Sequence, residues 1–436
     1  MERVIATGIQ DFESTRVNQR FYVDKTDFIC QWWNGGDVAT LITRPRRFGK
    51  TLNMSTLNCF FSQKYANRGE LFEGLKVWED ADLRAQQGKW PVIFLSFAGI
   101  KGRTYEDTMV QMKKALTELF LGFPELYQYT GFERIERQSL NKICEDMSDT
   151  DAAFSIKLLS GLLRKVYGKK VLIFLDEYDT PLQEAYINGY WDDLVAFTRT
   201  MFNNAFKTNP SLERGIMTGI TRVSKESIFS DLNNLVVITT TSNLYADCFG
   251  FTEEEVFQAL EEQGFTEKDR QDVKRWYDGF TFGPVTDIYN PWSITNFLNE
   301  KKLKVYWANT SDIALSKLFP YTEMVQYNWI EKATKSIDKV WNLRRYFEVA
   351  RLGIIDNLMM PGIAYAGDNN KYLAVSFDRF GKAMQPEGEV SITLPDELKS
   401  YRRRDRRGRQ SDTCSGIQWN HEAGYRFNTG CCSDGK

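Results

Sequence analysis

Five short apolar runs recur along the first half of the chain, and polar sequence with helical spacing separates them. Each run is almost continuously apolar or β-branched, which is typical of strands buried on both faces of a parallel sheet. The expected strands are 38–43 (VATLIT), 91–97 (PVIFLSF), 171–175 (VLIFL), 215–220 and 235–240. The clearest intervening helices are 104–121, 153–166 and 191–206. The pattern predicts an α/β fold with helices on both faces of a parallel sheet.

The size and charge of the chain narrow its class. At roughly 150 residues per domain, 436 residues predict two or three domains. Hydrophobic residues make up 42% and charged residues 26%, which argues against a disordered or fibrous protein. The 56 basic and 58 acidic side chains give a net charge of -2, so no bulk attraction to nucleic acid or anionic lipid is built in.

Nothing in the sequence predicts a membrane span or a secretory signal. The apolar run 171–175 has five residues, whereas a spanning helix needs roughly 20. The N-terminal MERVIATGIQDFES lacks a basic region followed by an apolar stretch. The scattered Cys30, Cys59, Cys144 and Cys248 fit reduced thiols. A cytoplasmic protein without a membrane partner is expected.

The segment TRPRRFGKTL, residues 43–52, follows the first strand and opens a helix, as a phosphate-binding Walker A loop does. In that interpretation Gly49 lets the backbone approach phosphate, Lys50 neutralises its charge, and the Thr51 hydroxyl binds Mg²⁺. Arg44 stands where the motif has its first glycine. A basic surface turn is therefore the alternative to a phosphate site.

A second signal is VLIFLDEYD, in which Asp176 and Glu177 end an apolar strand as a Walker B segment does. Asp176 is expected to hold Mg²⁺, and Glu177 to activate water for attack on the γ-phosphate. Acidic pairs at strand ends also cap helices, but the combination with the GKT strand favours catalysis. Just beyond, residues 179–181 are expected to start a helix with Thr180 as its cap.

The strand in RGIMTGITR, residues 214–222, ends in hydroxyls and a cation. Thr221 or Arg222 could sense the γ-phosphate, and an arginine can stabilise transition-state charge within one chain or across a subunit interface. An ordinary exposed loop arginine is the alternative for Arg222.

Beyond residue 245 the sequence becomes polar and helix-prone, which predicts a helical second domain over 246–345. Thr252 and Glu255 fit a capping box, although a chance pair in an acidic stretch would look the same. Residues 346–400 are expected to be a truncated remnant. Residues 401–436 contain no Leu, Val or Met and carry eight basic against four acidic side chains. A shifted reading frame or a disordered basic tail would explain this composition.

Eight separated blocks, in order from about residue 8 to about residue 311, resemble the AAA-ATPase-like family of bacteria. They are FYVDKTDFI, LITRPRRFGKTLNMSTLNCFF, LIFLDEYDTPL, TGITRVSKESIFSDLNNL, YADCFGFTEEEV, YDGFTFG, IYNPWSI and YWANTS. Members of that family commonly carry arginine in place of the first Walker glycine, and they often end in a nuclease-like domain of the PD-(D/E)xK type.

The resemblance implies a P-loop NTPase core, residues 1–245, of the additional-strand, catalytic-glutamate class. It implies the sheet order 5-1-4-3-2, a helical lid, and ATP with Mg²⁺ as cofactors. By position it assigns nucleotide binding to Arg46, Arg47, Phe48, Gly49, Lys50, Thr51 and Leu52, the metal to Thr51 and Asp176, and catalysis to Glu177, Thr221 and Arg222. The FYVDKT block, 21–26, is either near the adenine or a packed strand and turn.

The C-terminal region departs from the family. The fragments of PD and ExK overlap within PDELK, residues 395–399, so their carboxylates cannot converge on a metal from separate strands, and nuclease activity is not expected. In the tail, Cys414, His421, Cys431 and Cys432 lack the spacing of a zinc site.

The expected function is a Mg²⁺-dependent ATPase that couples hydrolysis to a conformational change. Two alternatives stay open. One is a nucleotide-gated scaffold that hydrolyses ATP negligibly, and the other is the ATPase of a nucleic-acid-processing system without its nuclease domain. A homo-oligomer and the client that uses the ATP are also left open by the sequence.

Overall fold

The computed structural model describes residues 4–220, 228–229, 231–304 and 306, together with the backbone of 360–365, 371–377 and 389–391. The chain divides into two compact units, Met1–Asp312 and Ile313–Lys436. The described part of residues 246–306 thus shares a unit with the residues of the predicted P-loop core.

Within its described residues, the first unit contains a five-stranded parallel sheet. Its strands are β1 Ala39–Thr43, β2 Val92–Ser96, β3 Val171–Asp176, β4 Leu212–Gly219 and β5 Leu235–Ile238. The strand order is β2-β3-β4-β1-β5, which confirms the predicted 5-1-4-3-2 order read from the other edge. All five predicted strands are present, and their bounds differ from the predicted ones by a few residues at most.

Helices flank the sheet, and several begin at a hydroxyl side chain that caps a backbone amide. The α-helices that precede β4 along the chain are α1 Phe12–Val17, α2 Asp27–Gly35, α3 Lys50–Phe61, α4 Ala81–Arg84, α5 Tyr105–Leu121, α6 Glu125–Gln128, α7 Arg134–Asn141, α8 Asp149–Tyr167, α9 Thr180–Asn188 and α10 Trp191–Phe202. A π-helical turn, Asn203–Lys207, continues α10 towards β4. Short 3₁₀ turns lie at Gln63–Tyr65, Gly69–Phe72 and Lys76–Trp78.

The core lies on both faces of the sheet, as continuous apolar strands require. Every residue of β3 is buried. Ile173 and its same-face neighbours join a cluster with buried side chains of α5, α8 and α10. On the opposite face, the Phe174 ring lies 5.7 Å from Trp32 of α2, which in turn lies 5.8 Å from Phe61 of α3. The predicted α/β architecture with two helical layers is confirmed.

After the sheet the chain forms α11 Glu253–Glu262, α12 Glu267–Tyr277, a two-stranded hairpin and α13 Pro291–Glu300. The capping box of Thr252 and Glu255 at the start of α11 is confirmed. The region expected to form a helical second domain also contains two short strands, since β6 (Phe280–Phe282) and β7 (Val285–Ile288) pair antiparallel. These strands have three and four residues, too few to show an alternating pattern.

The prediction that Thr180 caps α9 was wrong by one residue. The helix begins at Thr180 with Asp179 in the capping position and Pro181 in the first turn. Thr180 is therefore the first helical residue, and its hydroxyl donates to Glu177 Oε2 at 3.3 Å.

In the second unit, the described backbone forms an antiparallel sheet of order β10-β9-β8. Its strands are β8 Met360–Tyr365, β9 Lys371–Phe377 and β10 Glu389–Ser391. The PDELK segment, 395–399, and the cysteines and histidine of the tail lie outside the described residues. Among the helices that can be described, none is both long and apolar enough to cross a membrane.

Tight packing around β4 gives a test of the fold. A Cβ at Gly215 would lie 2.4 Å from Phe206 Cε1 and 3.1 Å from the Ile173 carbonyl oxygen. We expect Gly215→Ala to lower the free energy of unfolding by about 1–3 kcal/mol, the usual cost of overpacking a core. Urea denaturation measures the change.

The matched control is Gly161→Ala in α8, where an added Cβ meets nothing within 4 Å. Because alanine favours a helix over glycine by about 1 kcal/mol, this substitution is expected to be neutral or stabilising. Equal destabilisation by the two substitutions would contradict the packing described for β4.

Candidate active site

The loop between β1 and α3 brings the helix N-terminus back to the C-terminal edge of the sheet. Thr43 pairs with Gly219 of β4, and the Arg44 amide donates to the Gly219 carbonyl at 3.2 Å. Arg47 and Gly49 have positive φ angles of 68° and 82°, and Gly49 immediately precedes α3. The first-turn amides of a helix have no intrahelical acceptor and carry partial positive charge, so this turn can bind an anion.

Lys50 is the first residue of α3 and is buried. Its Nζ donates to the carbonyl oxygens of Arg44 at 2.8 Å and Pro45 at 2.9 Å. Burial lowers the pKa of Lys50, while the negative charges of Asp179, Glu177 and Asp176 act in the opposite direction. The ammonium group thus lies within electrostatic range of three carboxylates at the end of β3 and in the turn that follows it.

Asp176 ends β3 and is fully buried beside β4. Its Oδ1 accepts a hydrogen bond from the Thr218 hydroxyl. Burial raises the pKa of Asp176, whereas the hydroxyls of Thr218 and Thr51 and the charge of Lys50 partly offset this effect. The acidic end of β3 is thus bonded to the end of β4, next to the strand β1 that leads into the GKT turn.

The residues at this edge fit a magnesium ion. Within the described part of the chain, Asp176 Oδ2 is buried and accepts no hydrogen bond of regular length and angle. Thr51, in the first turn of α3, offers a hydroxyl oxygen as a further ligand. Described residues contain no group of three or more His, Cys, Asp or Glu that could hold a metal without help. Mg²⁺ commonly takes one or two protein oxygens and completes its shell with phosphates and water.

Glu177 is the first residue after the buried strand and is only partly buried. Its φ angle is 51°, a left-handed conformation that is uncommon for a residue with a side chain. Such backbone geometry is maintained by surrounding structure and is often found at functional sites. In this chain it occurs where the backbone turns from β3 towards α9, so Glu177 is partly exposed while the adjacent Asp176 is buried.

Asp179 is a third acid at this edge whose role sequence reasoning missed. It is buried, and its Oδ2 accepts from Gln183 Nε2 at 2.8 Å and from the Ile220 amide at 2.9 Å. Among the negative charges that raise the pKa of Lys50, that of Asp179 has the largest effect. The available signal was a further aspartate three positions after Asp176 in LDEYD, which we interpreted only as part of a helix start.

The other predicted loop residues have different surroundings. Arg46 and Leu52 are partly buried. Arg47 is exposed, and its guanidinium lies 4.5 Å from the ring centre of Trp292. Phe48 is buried, with its ring 4.8 Å from that of Phe280.

Two predicted catalytic residues cannot be placed. Thr221 and Arg222 lie outside the described residues, so their roles stay predictions. The last described residue before them is Ile220, whose amide donates to Asp179 Oδ2.

The 21–26 block forms a packed turn leading into α2. The Tyr22 ring lies 5.5 Å from Phe12, and Lys25 Nζ donates to Glu255 at 2.6 Å. No strand forms over these residues. A contact with adenine stays a prediction.

Comparison with known proteins agrees with this architecture. A family model described as "Predicted AAA-ATPase" matches residues 6–229, just over half of the chain. The chain belongs to the AAA-ATPase-like family. The match includes β1 to β4, the GKT turn and Asp176, and it confirms the resemblance seen in the sequence.

A relative of this AAA-ATPase-like chain occurs in Azotobacter chroococcum mcd 1, where it is named "Uncharacterized protein in vnfD 5'region". The two are 28% identical over 311 residues, which cover 70% of this chain and 53% of the relative. The chain thus spans about half the length of the curated relative that it matches.

The buried Asp176 leads to a pH-dependent prediction. Because its folded pKa is raised above the ordinary value of about 3.9, the folded state binds a proton more tightly than the unfolded chain. The ionised carboxylate therefore costs stability above the folded pKa, and the cost disappears as pH falls to the ordinary value. Without nucleotide or Mg²⁺, we expect Asp176→Asn to melt above wild type at pH 7, with a difference that shrinks towards pH 4.

Thermal unfolding between pH 4 and pH 8 measures this difference. Asp146→Asn, at an exposed loop residue, is the matched control and is expected to change stability by less than about 0.5 kcal/mol. A higher melting temperature for wild type than for Asp176→Asn at pH 7 would show that the carboxylate is well compensated in the empty protein.

Proposed function

We propose that this chain binds ATP with Mg²⁺ and hydrolyses the γ-phosphate at the edge formed by the GKT turn and the end of β3. The observation that carries the proposal is that the buried Lys50 opens α3 at the edge of the sheet where β3 ends in the buried Asp176. Lys50 donates to Arg44, whose amide bonds to Gly219 of β4. The adjacent Thr218 donates to Asp176. Membership of a family of predicted ATPases supports the same activity.

The phosphates would bind at the first turn of α3. Backbone amides there offer donors with aligned dipoles, and Gly49 has no side chain to obstruct them. Lys50 would exchange its bonds to the Arg44 and Pro45 carbonyls for bonds to phosphate oxygens. A nearby polyanion would favour the charged ammonium, which burial now disfavours.

Thr51 and Asp176 would hold Mg²⁺, since both offer the hard oxygen ligands that this ion prefers. The ion, when bound, supplies positive charge that neutralises phosphate oxygens. In the described structure, Asp176 Oδ2 is buried and accepts no hydrogen bond, so this atom would be the ligand that Asp176 offers to the ion.

Glu177 would orient the attacking water and accept its proton. Its partial exposure suits contact with solvent, whereas the neighbouring Asp176 is sealed from it. The Thr180 hydroxyl, which donates to Glu177 Oε2, would limit the rotation of the carboxylate. Thr221 and Arg222 would stabilise charge on the γ-phosphate, with Arg222 acting within one chain or across an oligomer interface.

The direct test is Glu177→Gln. General base catalysis contributes typically 10²- to 10⁴-fold, so we expect phosphate release to fall by about 10²-fold or more. ATP affinity should stay within a few-fold of wild type, because the phosphate-binding groups are unchanged. Radiolabelled phosphate release and equilibrium ATP binding measure the two quantities.

Glu145→Gln makes the same chemical change at an exposed residue between α7 and α8, and should leave both quantities unchanged. Equal, near-zero phosphate release from wild type and Glu177→Gln, with ATP still bound, would contradict the hydrolytic role. That result would support the nucleotide-gated scaffold instead.

Coupling of hydrolysis to a conformational change, and the client that it serves, are part of the same proposal. They concern the whole protein, and the chain covers 53% of its Azotobacter relative. The region that follows the sheet is the best candidate for the moving part, because its described residues contact the phosphate loop at several points.

A further inference from the structure

Arg44 stands where the general phosphate-loop motif has glycine, and its side chain is fully buried. One guanidinium nitrogen, Nη1, donates to the Thr43 carbonyl at 2.9 Å, and Nη2 donates to the Tyr245 carbonyl at 3.2 Å. The guanidinium carbon lies 5.4 Å from the ring centre of Phe249 and 4.9 Å from that of Phe282. Arg44 therefore joins the start of the phosphate loop to residues 245–249 and to β6.

A buried guanidinium is costly unless its N–H groups are bonded, because arginine does not lose its proton in proteins. The aromatic faces and the two carbonyls supply part of that compensation here. Glycine at this position could make none of these contacts. The arginine side chain therefore links the phosphate loop to residues 245–249 and to β6, a link that a glycine at position 44 could not make.

Other residues of the loop and of α3 contact the same region. The Phe48 ring lies 5.4 Å from Phe282, and the Phe48 carbonyl accepts from the Gly250 amide at 3.2 Å. Asn53 Nδ2 donates to the Cys248 carbonyl at 2.9 Å. We refer to residues 245–250 together with the β6–β7 hairpin, 280–288, as the docking region.

The backbone of the docking region approaches the loop closely. A Cβ at Gly250 would lie 2.6 Å from Ile288 Cγ2 and 3.0 Å from Phe48 Cδ1. Movement of the loop by a fraction of an ångström would therefore be felt at the hairpin, since packed interiors do not deform freely.

Lys50 provides the connection to nucleotide. Its Nζ donates to the backbone carbonyl of Arg44 at 2.8 Å, while the Arg44 side chain contacts the docking region. If Lys50 turns to a phosphate, it releases the carbonyl of the residue that holds the docking region.

We propose that Arg44 is a positioning residue that couples occupancy of the phosphate loop to the state of the docking region. The inference rests on the proposed ATP binding and adds the route by which binding is transmitted. Such coupling is reciprocal, so the state of the docking region also sets the affinity for ATP.

The experiment is hydrogen exchange of the full chain with and without a nonhydrolysable ATP analogue and Mg²⁺. Calorimetry first establishes that the analogue binds. In wild type we expect the analogue to change the exchange rates of peptides covering 245–250 and 280–288 by about 5-fold or more, a typical size for coupling between sites. The Gly250 amide, which donates to Phe48, is the most direct reporter.

Arg44→Lys retains the charge and loses the planar set of donors. We expect it to bind the analogue while the exchange response of the docking region is largely lost. Arg103→Lys, at an exposed residue before α5, is the matched control and should respond as wild type does. Phe282→Leu removes a ring that packs against both Arg44 and Phe48, and should also weaken the response.

Several outcomes distinguish this inference from the proposed function. Binding of the analogue to wild type without a change in the docking region would overturn the coupling and leave ATP binding intact. A wild-type response in Arg44→Lys would overturn the role of Arg44. Absence of any binding to wild type would overturn the proposed function, and the coupling with it. The wild-type measurement alone can overturn the coupling, whatever the stability of the variants.

Discussion

A carboxylate and an ammonium group are buried at the same edge of the sheet, and the rest of the site is arranged around them. Burial raises the pKa of Asp176 and lowers that of Lys50, so each charged form is held at a cost. The two groups come from different elements, β3 and α3, and the parallel sheet is what brings them to one edge. A ligand that carries both negative charge and a cation would relieve both costs.

The sequence was most informative where burial imposes a continuous pattern. The apolar runs of β1 to β5 predicted the sheet because strands covered on both faces have no polar alternation. The strands that lead to the GKT turn and to Asp176 both pair in parallel with β4, so their C-terminal ends lie at one edge of the sheet. The prediction that Thr51 and Asp176 share one ion follows from that topology and needs no knowledge of side-chain geometry.

Other features depend on tertiary contacts that no local pattern reveals. The β6–β7 hairpin is too short to show an alternating apolar pattern. Its Phe280 and Phe282 rings pack against Phe48, a contact that only the folded structure reveals. Asp179 looked like part of a helix start, but its carboxylate reaches the Ile220 amide 41 positions away. The burial of Arg44 was likewise hidden, because the aromatic rings that accept it lie more than 200 positions along the chain.

The most direct test of the central claim is a double-mutant cycle on Mg²⁺-dependent ATP affinity with Thr51→Val, Asp176→Asn and the combined variant. If both residues hold one ion beside one triphosphate, each single substitution removes most of the affinity gained from Mg²⁺, and the double substitution removes little more. Additive losses would mean that Thr51 and Asp176 act at separate places, and would contradict a single nucleotide site at this edge.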